Sequence, residues 1–340
     1  MNRRAAMLLC AISSTACNVF DESLYLRADA GADATVQALT LAERCSAAVP
    51  LVARANRDYT LDTSGLADDL RDLASCAGRE LPGNDGFFRV HMEAGELWHF
   101  HVHTLDRTHN PAIYLLPSCD DRACTRGLDE CGDGRDEHIS IRARESRDYF
   151  VGLDSASTGG APYQLTVVHA ACGDGVREHG ESCDDHNRTA GDGCDADCRS
   201  ELSDNGVEVE PNDDFSDPNI VVVNAAPVTV QGRLGGRCDF DMFGVNVPAG
   251  ASVRVTMLDI NGQPCPMSAP EFRMAWVLPD GTTTGGTGVI AAGNRCPAIS
   301  DAQTFAQRIT TAGTYYVRVS PVGDLADLVD YKLRFELVRP

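Results

Sequence analysis

Phe88-Arg-Val-His-Met-Glu-Ala-Gly95-Glu-Leu-Trp-His-Phe-His-Val102 aligns without a gap on Phe243-Gly-Val-Asn-Val-Pro-Ala-Gly250-Ala-Ser-Val-Arg-Val-Thr-Met257. Around each Ala-Gly pair the residues read as strand, turn, strand. The match continues downstream: Asp148-Tyr-Phe-Val-Gly-Leu153 corresponds to Thr314-Tyr-Tyr-Val-Arg-Val319, and Tyr163-Gln-Leu-Thr-Val167 to Tyr331-Lys-Leu-Arg-Phe335. Tyr331, Leu333, Phe335 and Leu337 alternate with Lys332, Arg334 and Glu336, which gives one buried and one wet face. The chain is therefore an internal duplication of an antiparallel unit. The expected fold class is all-β, with sandwiches over 57–170 and 206–340 joined by a disulfide-rich, loop-rich module over 171–201.

The joining stretch, Cys172-Gly-Asp-Gly-Val-Arg-Glu-His-Gly-Glu-Ser-Cys183-Asp-Asp-His-Asn-Arg-Thr-Ala-Gly-Asp-Gly-Cys194-Asp-Ala-Asp-Cys198, is too poor in apolar side chains to bury a core. Disulfides, metal or both must hold it. It resembles the short cysteine-rich repeat abundant in myxobacterial surface proteins, with the pattern CGDG, GE-x-CDDGN and GDGC-x-x-x-C. Cys172 to Gly175, Gly180, Glu181, Cys183 to Asp185, Asn187, Gly191 to Cys194 and Cys198 fall on that pattern. His186 stands where the family has glycine, a position suited to positive φ.

The N-terminus reads as an export signal over 1–16. Arg3 and Arg4 precede an apolar run, Ala5 to Ile12, too short to span a membrane, and Ser14-Thr15-Ala16 leads into Cys17. Cys17 suggests lipidation, with ordinary secretory cleavage nearby as the alternative. Of fourteen cysteines, removing Cys10 and acylating Cys17 leaves an even set for disulfides: Cys45, Cys76, Cys119, Cys124, Cys131, Cys172, Cys183, Cys194, Cys198, Cys238, Cys265 and Cys296. Residues 17–56 form a tether and short N-terminal segment, with no periodic apolar pattern from Asn18 to about Val36, a short helix over Leu39–Leu51, and strands from near Tyr59. Exported placement at the outer membrane or cell surface follows, or secretion if Cys17 is not acylated.

Both copies resemble the bacterial pre-peptidase C-terminal domain, which implies jelly-roll-like sandwiches and a non-catalytic accessory role. In the second copy Glu210-Pro-Asn-Asp213 is similar to the family's opening, Asp239-Phe-Asp241 with the hairpin to Gly250 to its centre, and Ala312-Gly-Thr-Tyr-Tyr-Val-Arg-Val319 to its closing strand. The first copy is more divergent and carries Asn84-Asp-Gly-Phe-Phe88.

The 340 residues carry a formal charge of −21 and a pI near 4.7, which excludes nucleic acid and an anionic membrane surface as electrostatic partners. Membrane contact is expected only through the lipid anchor. The sequence contains no His-Glu-x-x-His, Gly-x-Ser-x-Gly, phosphate-binding loop or dinucleotide fingerprint.

His99, His101 and His103 alternate with Trp98, Phe100 and Val102, so the three imidazoles share one strand face. They either chelate a transition metal or form the solvent face. Calcium is the favoured cofactor. Asp174, Glu181, Asp184, Asp185, Asn187, Asp192, Asp195 and Asp197 supply hard oxygen ligands in the module. A second site arises if Asn212, Asp214, Asp239 and Asp241 converge; solvated turn carboxylates are the alternative at both. Contiguity predicts disulfides Cys119–Cys124 and Cys265–Cys296. The expected function is a non-catalytic exported cell-surface protein that binds or adheres to a surface protein, matrix or polysaccharide. The alternatives are a metal-dependent hydrolase using the histidine face and a passive spacer.

Overall fold

The computed structural model describes residues 36–51, 57–70, 80–119, 124, 126–128, 134–178, 180–213, 216–224, 226–235, 239–279, 283–290, 294–300, 309–323, 325 and 327–338. The signal segment, Cys17, Cys76, Cys131, Cys238 and Asp214 lie outside the described residues.

Among the described residues, ten strands precede the module: β1 (Gln37–Ala38), β2 (Val49–Pro50), β3 (Arg57–Asp62), β4 (Gly86–Met92), β5 (Leu97–Thr104), β6 (Pro111–Leu116), β7 (Arg126–Leu128), β8 (Glu137–Arg142), β9 (Arg147–Ser155) and β10 (Pro162–Ala170). They form two sheets, ordered β1-β3-β10-β5-β8 and β2-β4-β9-β6-β7. Counting β3 to β10 as one to eight, the sheets run 1-8-3-6 and 2-7-4-5, the jelly-roll order. Period-two alternation makes this a sandwich. Phe88, Val90 and Met92 with Tyr149, Val151 and Leu153 of one sheet meet Trp98, Phe100 and Val102 with Tyr163, Leu165 and Val167 of the other.

The second copy repeats the plan with β11 (Glu201–Leu202), β12 (Asn219–Val221), β13 (Val228–Leu234), β14 (Asp241–Val247), β15 (Ser252–Asp259), β16 (Phe272–Val277), β17 (Thr283–Thr287), β18 (Val289–Ile290), β19 (Pro297–Ile299), β20 (Gly313–Pro321) and β21 (Val329–Val338). Its sheets run β13-β21-β15-β19-β18 and β11-β12-β14-β20-β16-β17. The same jelly-roll order results if β18 and β19 share the sixth place. The aligned residues pair alike: Phe88 faces Val151 as Phe243 faces Val317, and Leu165 faces Val102 as Leu333 faces Met257.

The expected helix over Leu39–Leu51 is not formed; helical structure there is one 3-10 turn, Cys45–Ala47. The segment instead covers open sheet edges, which otherwise present unpaired backbone groups. β1 lies parallel to β3, Ala42 bridges Phe87, and β2 lies parallel to β4. The duplication extends to this feature. In the second copy Glu208 N–H donates to Gln231 O at 2.9 Å beside β13, and β12 lies parallel to β14.

The expected Cys119–Cys124 disulfide is also corrected. Cys119 bonds Cys45, with the Cα atoms 5.5 Å apart, and Cys124 is bonded to a different cysteine. The outward face of β6 explains this: Ala112, Tyr114 and Leu116 pack with Phe87, Leu81 and Cys45, bringing the N-terminal segment to the end of that strand. Cys265 and Cys296 are joined as expected.

In the module Cys172 pairs with Cys198 and Cys183 with Cys194. His186 adopts φ +68°, in the left-handed region that favours glycine. Its ring also explains Gly175, where an added Cβ would lie 1.9 Å from His186 Nδ1. No helix among the described residues is long and apolar enough to cross a membrane. The disulfide density is that of chains made for an oxidising compartment.

Candidate metal centre

The second sandwich gathers acids where its opening segment passes the start of β14. Glu208, Glu210 and Asp241 place ligand oxygens within 4.8 Å of one another. Asp239 precedes Asp241 by one strand alternation, and Asn212 and Asp213 follow the Glu210–Pro211 peptide, which is cis. Asn212 and Asp241 are wholly buried. The local fold follows from alternation: Glu208 and Glu210 share one side of an extended stretch, as Asp239 and Asp241 share one side of theirs.

Some of these oxygens are already held. Glu208 accepts the Arg233 N–H, Glu210 Oε2 the Asn212 N–H at 3.0 Å, Asp213 Oδ1 the Phe240 N–H at 3.0 Å, and Asp239 the Gly235 N–H. Tyr331 donates its hydroxyl to Asp241 Oδ2. Others have no hydrogen-bond partner: Glu208 Oε2, Asp241 Oδ1 and both polar atoms of the Asn212 side chain are buried and unmatched. Such groups cost free energy unless something else meets them.

Electrostatics agree. Burial pushes the Glu208 carboxyl up to about 8 and, reinforced by Asp213, that of Asp239 up to about 7. Burial and neighbouring carboxylates push Glu210 and Asp241 well above the ordinary carboxylate range, and Tyr331 above its own. A bound cation reverses each of these effects, and an all-oxygen donor set suits a hard divalent ion such as calcium.

The first sandwich lacks this chemistry at the equivalent place. Gly86 stands where β14 has Asp241, and a Cβ there would meet Leu41 and Leu66 side-chain atoms at 2.7 Å. Leu39 donates its N–H to Thr60 O as Glu208 does to Gln231 O. Leucines thus plug in one copy the space that acids line in the other.

Of the expected site residues, Asn212, Asp239 and Asp241 are brought together, while Asp214 lies outside the described residues. Glu208, Glu210 and Asp213 were not anticipated at the site, nor was Tyr331 as the donor to Asp241. The alternating acids of Glu208-Val-Glu210 were the available signal.

The module's carboxylates are mostly occupied by turns. Asp184 accepts the N–H groups of Gly173, Gly175 and His186; Asp174 that of Val176; Asp185 that of Asn187; Asp195 those of Asp197 and Arg199. Asp192 lies 3.4 Å from Asn187 Nδ2. Glu181 is buried, accepts the Glu178 N–H, and is pushed up to about 8 by that burial. Among the described residues, the ligand atoms grouped within 4.8 Å of it are those of Cys172 and Cys198, already spent on a disulfide.

His99, His101 and His103 share a face as expected, but only His103 is wet. His99 is 1% and His101 4% exposed, so the solvent-face alternative is corrected for both. The module and the opening of the second sandwich cover them: Gly180 packs on His99, Ser140 Oγ donates to Asp217 at 2.9 Å and meets His99 Nδ1 at 2.9 Å, and His138 reaches Asp213 at 3.4 Å. Asp136 bridges His101 at 3.2 Å and His103 at 2.7 Å. Among the described residues, neither metal-competent group contains a histidine.

No family model matches the chain, and no curated protein matches it. Solved structures give weak likenesses. A triple-jelly-roll turret protein of an archaeal virus is 11% identical, with 76% of this chain and 58% of that one covered and a TM-score of 0.20. A conserved protein of Pseudomonas aeruginosa PAO1 is 8% identical, with 75% and 81% covered and a TM-score of 0.17. Tripeptidyl peptidase 2 is 8% identical, with 76% and 22% covered and a TM-score of 0.21. At these scores the likenesses carry no argument about what this chain does.

Proposed function

We propose that this chain is an exported, non-catalytic cell-surface module, anchored through Cys17, whose second sandwich is set by calcium and which acts by binding. The observation that carries the calcium reading is the Glu208, Glu210, Asn212, Asp213, Asp239 and Asp241 cluster, with its buried unmatched oxygens and raised carboxyls. A site of this kind costs stability without a cation and returns it when calcium is abundant, as it is outside cells. The ion would hold the opening segment against β14. That segment carries Asp213 and Asp217 to the histidine face of the first sandwich, so the same ion would steady the junction. The resemblance to the pre-peptidase C-terminal domain supports an accessory role. Burial of His99 and Ser140 supports an interface there rather than a substrate site. The test is calorimetric titration of calcium into oxidised protein. One site that disappears in Asp241→Asn while the disulfides stay intact supports the reading, and equal binding by wild type and Asp241→Asn overturns it.

A further inference from the structure

An arginine-lined cleft of about 500 Å³ opens where the two sandwiches and the module meet. Arg142, Arg144 and Arg147 come from the first sandwich, Arg199 from the module, and Tyr316 and Pro279 from the second sandwich; Tyr149, Ile141 and Pro117 add apolar surface. Four guanidinium groups converge in a chain whose formal charge is −21.

Their own partners divide them into two pairs. Arg199 is held by Asp195 at 2.6 Å and Asp197 at 3.3 Å; Arg142 donates to the carbonyls of Asp197 at 2.5 Å and Gly95 at 3.0 Å. These two are fixed wall. Arg144 is exposed and donates only to the Pro279 carbonyl, at 3.4 Å, with no carboxylate partner among the described residues. Arg147 donates to the Pro117 carbonyl at 2.7 Å and lies over the Tyr149 ring, so its guanidinium is oriented; its carboxylate partner, Glu145, has a side chain 71% exposed, and an ion pair so open to water is easily exchanged. Arg144 is thus free at the mouth, and Arg147 stands beside it oriented by Pro117 and Tyr149, with only its pairing to Glu145 to exchange.

We infer that this cleft binds an anionic sugar unit, its carboxylate or sulfate held by Arg144 and Arg147 and its ring lying against the Pro117 and Pro279 surfaces. Guanidinium matches planar oxyanions through paired N–H donors. The volume is that of an ordinary small-ligand site, and the open mouth lets hydroxyls and the rest of a polymer stay in water. This names a ligand class for the binding role proposed above and does not depend on the calcium site.

The test is calorimetry on the full oxidised chain with digalacturonate, a sulfated disaccharide, neutral digalactose and inorganic sulfate as probes. Binding of either acidic disaccharide, with the neutral one at least tenfold weaker, is expected; the better of the two acids identifies the oxyanion. Arg144→Gln, in an exposed bend, and Arg147→Gln, at the start of β9, should each weaken binding about tenfold. Arg144→Lys, which keeps the charge and loses the fork, should fall between. Arg254→Gln, paired with Glu336 away from the cleft, should change nothing. Equal binding of the neutral disaccharide, binding untouched in the Arg144→Gln/Arg147→Gln double variant, or inorganic sulfate binding as tightly as the sugar acids would overturn the inference. Calcium titration of the same samples separates the two claims, since the double variant should bind calcium as wild type does.

Discussion

In the absence of calcium, the second sandwich should lose stability as pH rises from about 4 to about 8, and calcium should restore it. Asp239 carries the magnitude most simply: its carboxyl moves from 3.8 to about 7 on folding. A raised folded-state value means that the native chain holds the proton more tightly. The stability is therefore complete below about 4 and is lost as pH climbs through about 7. Three units correspond to about 4 kcal/mol at roughly 1.4 kcal/mol per unit. Glu208 acts in the same direction over a window reaching about 8, but the two groups share a site and their penalties are not added. At about 3 °C per kcal/mol for a sandwich of this size, the melting temperature should drop by roughly 12 °C across the window. Calcium at about a hundred times its dissociation constant returns about 2.7 kcal/mol, or ~8 °C, at pH 8 and progressively less in acid, where protons compete. Trp276, wholly buried in the second core, reports this transition by fluorescence once Trp98 is replaced by Phe. The double variant Asp239→Asn/Glu208→Gln should shrink the slope, leaving the part due to buried Glu210 and Asp241, and remove the calcium response. A slope that persists unchanged in that variant, or a calcium shift larger at pH 5 than at pH 8, would refute the reasoning.

Other outcomes follow from the module and the anchor. Reduction should open the chain to protease between Cys172 and Cys198 before either sandwich is cut, because losing the Cys183–Cys194 bridge costs about 3 kcal/mol in a unit with almost no core; first cuts inside β4 or β14 would contradict this. His186→Gly should raise the module's resistance to heat by about 1 kcal/mol by relieving a side chain at φ +68°, whereas Gly175→Ala should lower it, the new Cβ running into the His186 ring; both are read by protease half-life. Cys17→Ser should move the protein from the membrane fraction into the medium, and an unchanged membrane fraction would exclude the lipid anchor.

The jelly-roll pairing was legible because period-two alternation and the repeat between Phe88–Val102 and Phe243–Met257 record the same strand register twice. Cys265–Cys296 was legible for a related reason, as a tie between neighbouring connections. Cys45–Cys119 was not, since it depends on Cys45 lying over the outward face of β6, a tertiary contact that local spacing does not encode. The segment from Leu39 to Leu51 deceived because its scattered apolar residues read as a helix, while open strand edges recruit them as paired backbone. In the acidic cluster of the second sandwich, Asn212, Asp239 and Asp241 could be read from side-chain chemistry. Glu208 and Tyr331 could be placed only by knowing that the opening segment runs beside β13 and that β13 pairs with β21. The histidine face was read correctly as a face. Its burial comes from the module and from Asp213 and Asp217, more than seventy residues away in the chain.

The most direct test of the central claim is the metal content of the oxidised, periplasm-expressed chain after dialysis against trace calcium and zinc together. The account predicts one calcium ion per chain, bound at the second sandwich, and lost in Glu208→Gln/Asp241→Asn. Stoichiometric zinc that survives in that variant, or a wild-type chain that retains no calcium, would contradict it.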